Sequence, residues 1–503
     1  MSSVESGGRN ETILEIIERR LVPDEQAKKA RSEVFTPLAL VREILYGVRK
    51  SDFEDGHILP WGVDKNNNIS EDDEDDRIGG IPLDVWRDPD TKWLDPANGI
   101  GNFPFVAFHM LDYQLKHHGT KGSKEWTDEK RQKHIVEKML YMIEIDRGNV
   151  NTTHKIMNFL VSGCKPNICC ADTLKLKDDD LDRHFRVNRF DVVMGNPPFN
   201  APLTRKHFTG KTPEIWDKFI EKSMVLIKNS GFLAFLTPPK WRGPDSYRKL
   251  WKIMASDSSI VFLRILNQET TMKMFNVNQR IDVYLIHKNV KSGISYIVDE
   301  HYVLNKLELS KFQFIPNYAF NEISKIMTDK DRGIKILYDT SYHSTSSTRT
   351  KPRIQQDVVY KYPVIHTINQ AGIQVRYIDD NTRGTGQHFG VPKVILSKGR
   401  HQYPYNDFEG KYGMTEMSFA IPIQSKEEGD NIVRAINSDK FKEIIKATKW
   451  GAFYTNYHMF EYFKPDFYKE FLEPSEGAGN HKTKRNSRSS SRTTRRTSSH
   501  SST

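Results

Sequence analysis

The chain lacks what several protein classes require. It has only three cysteines, Cys164, Cys169 and Cys170. Two are adjacent and the count is odd, so a disulfide framework is excluded and a reducing compartment is expected. No matching ligand pair stands near them, so no metal site is expected. No run approaches the roughly 18 apolar residues of a membrane helix. The opening MSSVESGGRN lacks the basic-then-apolar order of a secretory signal. The expectation is an intracellular protein with no membrane association.

What is present fits a soluble, charged chain. Its 503 residues are too many for one ordinary core, so two domains plus tails are expected. The formal net charge is +10. Asn480–Thr503 holds seven lysines and arginines and no acid, so about +3 remains for the rest. This Ser/Thr/Arg-rich tail has no apolar residue with which to build a core. It suits nucleic-acid phosphates or a nuclear address, or it is solvated without a specific partner.

Along the chain, Glu11–Leu21 has helical spacing and ends before Pro23. Residues 51–90 read as an acidic loop insertion. Asp64, Asn66, Asn68 and Asp75 imitate a calcium loop, but Ile69 stands where the sharp turn needs glycine. From Lys92 onward strands and helices alternate. Strands are expected at KWLDP, Met139–Asp146, Ile168–Leu174 and Phe190–Gly195, with a helix over Thr212–Lys228 capped by Thr212. That order predicts an α/β fold with a mostly parallel sheet covered on both faces. Domain bounds follow: an N-terminal helix in 1–30, the sheet domain in 31–290, a connecting segment in 291–350, a second mixed α+β region in 351–470 and the tail in 471–503. One helix is expected near Asp439–Thr448 in the second region.

Three of the expected strands end in acids. Asp95 precedes Gly99 and Gly101 in DPANGIGNF. The third glycine of a dinucleotide fingerprint is missing, as is the lysine of a phosphate loop. An acid in that place suits a cationic ligand. Glu144 closes the second strand, where a carboxylate accepts both hydroxyls of a ribose, with Asp146 as its competitor. Asp172 ends the third. Charges are excluded from parallel-sheet interiors, so acids at successive strand ends point to a nucleoside-like ligand.

The fourth strand runs into Asn196-Pro197-Pro198-Phe199. The prolines fix φ and remove donors. The Pro197 carbonyl and the Asn196 side-chain oxygen are then two acceptors beside one aromatic face. That set suits a planar ring bearing an NH₂ group. Two aimed acceptors favour the pyramidal amine, whose lone pair is free to attack.

FTP at Phe35–Pro37, DPANGIGNF, IEID, ADTL, NPPF and FLTPPKW stand in one order. Together they resemble the gamma-class S-adenosylmethionine-dependent adenine-N6 DNA methyltransferases, over about residues 31–290. The resemblance implies a Rossmann-like seven-stranded sheet, a C-terminal target-recognition domain and S-adenosylmethionine as cofactor. It implies a cofactor pocket of Phe35, Thr36, Pro37, Asp95, Pro96, Ala97, Gly99, Gly101, Glu144, Ile145, Asp172 and Asn196. Asn196, Pro197, Pro198 and Phe199 would be catalytic, with Phe199 and Phe275 stacking on a flipped adenine. Double-stranded DNA is the implied partner, met by a monomer. About 30 residues precede FTP, too few for a fused nuclease, so a restriction endonuclease would be a separate chain. A eukaryotic host would place the protein in the nucleus or at a viral replication site. Alternatives are methylation of a protein glutamine amide or of ribosomal RNA, and a non-catalytic DNA-binding subunit of a modification complex.

Deleting Asn480–Thr503 should weaken DNA binding alike for all sequences. It should flatten the slope of log affinity against log salt by up to roughly 0.9 per lost phosphate contact. Filter binding at several salt concentrations checks this, and sequence preference should not move.

Overall fold

A computed structural model describes residues 36–50, 77–201, 213–244, 247–291, 293–345, 349–380, 388–399, 402–451 and 454–472, with two short strands, Phe53–Glu54 and His57–Ile58. Glu11–Leu21, Phe35, the calcium-like loop, Thr212 and the basic tail lie outside the described residues. No helix among the described residues is long and apolar enough to cross a membrane.

The central sheet contains β1 (Trp93–Asp95), β2 (Leu140–Glu144), β3 (Asn167–Cys170), β4 (Phe190–Gly195), β5 (Ile227–Thr237), β6 (Ser259–Leu266), β7 (Ile281–His287), β8 (Ser295–Val298) and β9 (Leu304–Leu307). Their spatial order is β9-β8-β6-β7-β5-β4-β1-β2-β3. From β3 to β5 every pairing is parallel. β7 lies antiparallel between β5 and β6, and β9 is antiparallel at the edge. The sheet is mixed and mostly parallel, as the alternating pattern predicts. It has nine strands rather than the expected seven. β8 and β9 come from the stretch read as a connecting segment, where β8 carries the fully buried Ile297 and Val298.

Successive strand residues point to opposite faces, and both faces are covered. One face gathers Trp93, Leu140, Met142, Val192, Met194 and Phe232 under α1 (Leu38–Tyr46) and α2 (Asn102–His118). The other gathers Leu94, Tyr141, Ile143, Val193, Leu233 and Phe235. α5 (Trp216–Leu226) covers part of this second face. Thr212–Lys228 therefore narrows from the expected helix. Ile227 already pairs with Phe190 of β4, so the strand takes the end of the helical pattern.

The region after residue 350 holds two three-stranded sheets. One orders β11 (Gly372–Ile378), β10 (Tyr362–Asn369) and β14 (Gly413–Met414); the other orders β13 (Tyr405–Asp407), β12 (Lys393–Ser397) and β15 (Ser418–Pro422). Lys393 and Asp407 form a buried ion pair at 2.8 Å inside the second. Two helices follow, α8 (Lys426–Asn437) and α9 (Asp439–Ala447). Ser425 and Ser438 cap them by accepting from Glu428 N and Phe441 N. α9 matches the expected helix; α8 had no counterpart in the sequence reading. Residues of α8 and α9 join Phe312, Phe314 and Ile315 in the same core as the second sheet face.

Arg242 ties these parts together. It is wholly buried, and its Nε donates to Asp282 of β7 at 2.7 Å. Its other nitrogens donate to the carbonyls of Ile315 and Pro316 and to Asn317 Oδ1. Asn317 in turn donates to the Lys449 carbonyl at 2.9 Å. Arg242→Met should cost about 3–5 kcal/mol, because Asp282 is left as an unpaired buried charge. Adding Asp282→Leu should recover only part, since the carbonyls of Ile315 and Pro316 stay unmet. Urea denaturation of the two variants checks both statements.

Candidate active site

The strand order reverses beside β1: the chain steps to β2 and β3 on one side, then returns to β4 on the other. Ligands bind beyond the strand ends at such a switch point. A cavity of about 650 Å³ opens there. It is lined by Thr36, by Asp95 to Gly99, by Glu144 to Asp146, by Ala171 to Lys175, and by Asn196 to Ala201. Asn102, Phe103, Asn149, Ile215 and Phe219 complete the lining.

Backbone-to-carboxylate bonds fix the walls. Glu144 accepts from Gly99 N at 2.7 Å and from Asp146 N at 2.8 Å, one with each oxygen. Asp146 accepts from Asn149 N at 3.0 Å and so caps α3 (Arg147–Leu160). Asp172 accepts from Leu174 N at 3.1 Å and pairs with Lys175 at 2.8 Å. The Thr173 hydroxyl donates to the Pro96 carbonyl. Asn102 Nδ2 donates to the Thr36 carbonyl at 2.9 Å, which seats the segment before α1 against the glycine loop. Gly101 has φ +100° and starts α2 from a left-handed turn, a conformation glycine adopts without strain.

Asp95 is buried and accepts from Ala97 N at 3.0 Å. Burial pushes its carboxyl well above the ordinary value of 3.8; the Ala97 N–H opposes this and the Glu144 charge adds to it. Ile145 is 64% exposed at the cavity rim. Thr36 Oγ1 and Asn98 Oδ1 are buried with no hydrogen-bond partner among the described residues.

Residues 101–271 match the Eco57I restriction-modification methylase family. The matched span begins in the glycine loop and includes Glu144, Asp172 and Asn196–Phe199. The chain is 20% identical over 417 residues to an uncharacterized adenine-specific methylase of Mycoplasma pneumoniae, covering 66% of this chain and 91% of that one. It is 22% identical over 308 residues to the type II restriction enzyme and methyltransferase RM.Eco57I of Escherichia coli, covering 51% of this chain and 28% of that protein. Among solved structures, the type I restriction enzyme EcoKI M protein shares 14% identity at a TM-score of 0.33, covering 49% of this chain and 56% of its own. The ATP-dependent type ISP restriction-modification enzyme LlaBIII bound to DNA shares 12% at 0.44, covering 91% and 41%.

Of the residues the sequence put forward, Thr36, Asp95, Pro96, Ala97, Gly99, Glu144, Ile145, Asp172 and Asn196–Phe199 line one cavity. Pro37 precedes α1 and Gly101 shapes the turn; neither is among the lining residues. Phe275 is a correction. It ends α6 (Gln268–Phe275), is 5% exposed, and packs in the core against the α1/α2 side of the sheet instead of lining the cavity. Asn98, Asn102, Thr173, Ile215 and Phe219 were missed. The first two stand beside the loop glycines, which was the available signal.

Asp95→Asn keeps the acceptor for Ala97 N and removes a charge that burial disfavours. An acid raised on folding gives stability that is present below its ordinary pKa and is lost as pH rises through the raised value. The empty Asp95→Asn protein should therefore melt higher than wild type at neutral pH, and the gap should close in acid. Scanning fluorimetry across pH checks this.

Proposed function

We propose that this chain is a site-specific DNA adenine-N6 methyltransferase. The observation that carries the reading is the single cavity that joins the three strand-end acids to Asn196–Phe199. The family match over residues 101–271 and the adenine-specific methylase relative support it.

S-adenosylmethionine, when bound, would supply an electrophilic methyl group on a sulfonium, whose sulfur leaves with the S–C bonding pair as a neutral thioether. The residues present fit it. Glu144, held by backbone N–H groups on both oxygens, lines the cavity as a carboxylate suited to ribose hydroxyls. A cationic partner would favour the charged form of the Asp95 carboxyl, against the burial that raises it. The unmet Thr36 Oγ1 and Asn98 Oδ1 give polar partners for a zwitterion. Ile145 and Asp172 flank the place of a base, the first by apolar contact and the second by an acceptor.

On the acceptor side, Asn196 Oδ1 and the Pro197 carbonyl take hydrogen bonds from the N6 amine. Phe199 lies against the ring. An amide oxygen and a carbonyl are weak bases, so they orient the amine, and its proton leaves to water after the N–C bond forms. In duplex DNA the adenine must leave the stack, at a cost of a few kcal/mol. Stacking on Phe199 returns about 1–3 kcal/mol. Ile215 and Phe219 take the wall position first expected of Phe275.

We assign reading of the DNA sequence to residues 351–470, the region that the family resemblance gives to target recognition. The protein acts on double-stranded DNA as a monomer. Asn196→Ala should lower turnover on the order of 10²-fold or more and leave cofactor affinity within about twofold. Tritiated cofactor offered with unmethylated DNA, RNA and total protein tests substrate and variant together. Label entering RNA or protein in preference to DNA would replace this reading with one of its rivals.

A further inference from the structure

After Phe199 the chain passes Asn200 and Ala201, and it comes back at Pro213 to Ile215. The returning segment pairs antiparallel with the outgoing one. Ala201 N donates to the Pro213 carbonyl at 2.9 Å, and Ile215 N donates to the Phe199 carbonyl at 3.0 Å. Asn200 and Glu214 face each other as the bridge between them. Phe199, Asn200, Ala201 and Ile215 of this clip all line the cavity. Two hydrogen bonds alone are a weak hold on a wall that must meet an aromatic ring in register.

The clip has a second anchor. Glu214 Oε1 pairs with Lys240, which stands in the turn that leaves β5. Glu214 Oε2 accepts from the Tyr247 hydroxyl at 2.7 Å and from Trp216 Nε1 at 3.4 Å. Tyr247 and Trp216 pack with ring centroids 4.9 Å apart, and Trp216 is fully buried at the start of α5. Burial works to raise the Glu214 carboxyl, but the Lys240 and Tyr247 bonds outweigh it and hold it below the ordinary value of 4.5. Glu214 is therefore a charged brace between the clip and the segment that follows the neighbouring strand.

We propose that Glu214 is a positioning residue for the acceptor base, acting through Phe199 and Ile215, with Lys240 as its partner. The proposal rests on the methyl-transfer reading of the cavity. A brace on one wall predicts a split between the two ligands. The cofactor meets Asp95, Glu144 and Asp172, whose bonds do not involve Glu214. The acceptor ring meets the clip.

The test uses the full chain, unmethylated phage DNA and tritiated S-adenosylmethionine. Glu214→Ala should lower kcat/KM for DNA on the order of tenfold or more. Cofactor affinity by calorimetry should stay within about twofold, which a general loss of structure would not allow. Glu214→Gln keeps acceptors for Tyr247 and Trp216 and should recover part of the loss. Lys240→Met should resemble Glu214→Ala, and the double variant should be no worse than Glu214→Ala alone, as expected of one shared brace. Should Glu214→Ala fail to fold, Glu214→Gln and Lys240→Met carry the same comparison. Wild-type turnover in these variants, additive losses, or cofactor affinity falling as far as turnover would each overturn the proposal. If the wild-type chain labels RNA or protein instead of DNA, the substrate reading fails and the brace is judged on that acceptor. If it labels nothing, both fail.

Discussion

Asp95 and Gly195 must fit side by side. They end adjacent parallel strands, and a Cβ placed on Gly195 would lie 2.7 Å from Asp95 Oδ1. That same oxygen accepts from Ala97 N, so it cannot swing aside without breaking the turn. Glycine at 195 lets the acid lie across the end of β4. The acid then sets the Pro96–Ala97 turn, and Thr173 holds the Pro96 carbonyl from the third strand. Glu144 holds Gly99 from the second. Three strand ends are thus locked to one another before any ligand arrives, and the tetrapeptide starting at Asn196 leaves from the fixed point. Such prior ordering is what lets polar groups act on developing charge without reorganising.

Much of this half was legible in the sequence, for a physical reason. Acids are costly inside a parallel sheet, so Asp95 and Glu144 mark strand ends and Asp172 follows the end of β3 by two residues. β4 was legible to the residue, Phe190–Gly195, because its apolar run stops at glycine and proline. The acceptor wall was far less legible. Pro213 resembles a first-turn proline, yet the helix starts only at Trp216. Glu214 is drawn instead to Lys240 and Tyr247, which are 26 and 33 residues away in sequence. A tertiary bond won over a local signal. Phe275 failed for the converse reason. An aromatic residue near the end of a helix satisfies a core as well as it would satisfy a base, and only packing distinguishes them.

The longest-range features were not legible at all. Arg242 reads as one cation in the stretch Lys240-Trp241-Arg242, whereas it is fully buried against Asp282 and Asn317. Lys393 is one of several cations in GVPKVILSKGR, whereas in the fold Asp407 and the carbonyls of His388 and Val391 take its three donors. Composition counts charges but does not say which have been removed from water. A buried cation with a partner on every nitrogen specifies which elements meet there, because any other pairing leaves a charge without partners. In this chain Arg242 specifies that the turn after β5, strand β7 and the segment Ile315–Asn317, which is bonded to Lys449 after α9, meet at one place.

That meeting place bears on how the two halves of the cavity behave. Phe219 of the acceptor wall and Trp216 beside it belong to the same core as Phe441, Ile444 and Phe460 of the C-terminal region. Closely packed interiors pass small displacements on from residue to residue. The cofactor acids are secured differently, by short carboxylate-to-backbone bonds among β1, β2 and the loop after β3. Leu94, Tyr141 and Ile143 of β1 and β2 belong to that core too, so both walls share packing with the region proposed to read DNA, and the cofactor wall has its backbone bonds in addition. A sheet edge built this way can hold its cofactor in a fixed geometry while the wall that meets the base remains mechanically continuous with the elements assigned to recognise the sequence around it.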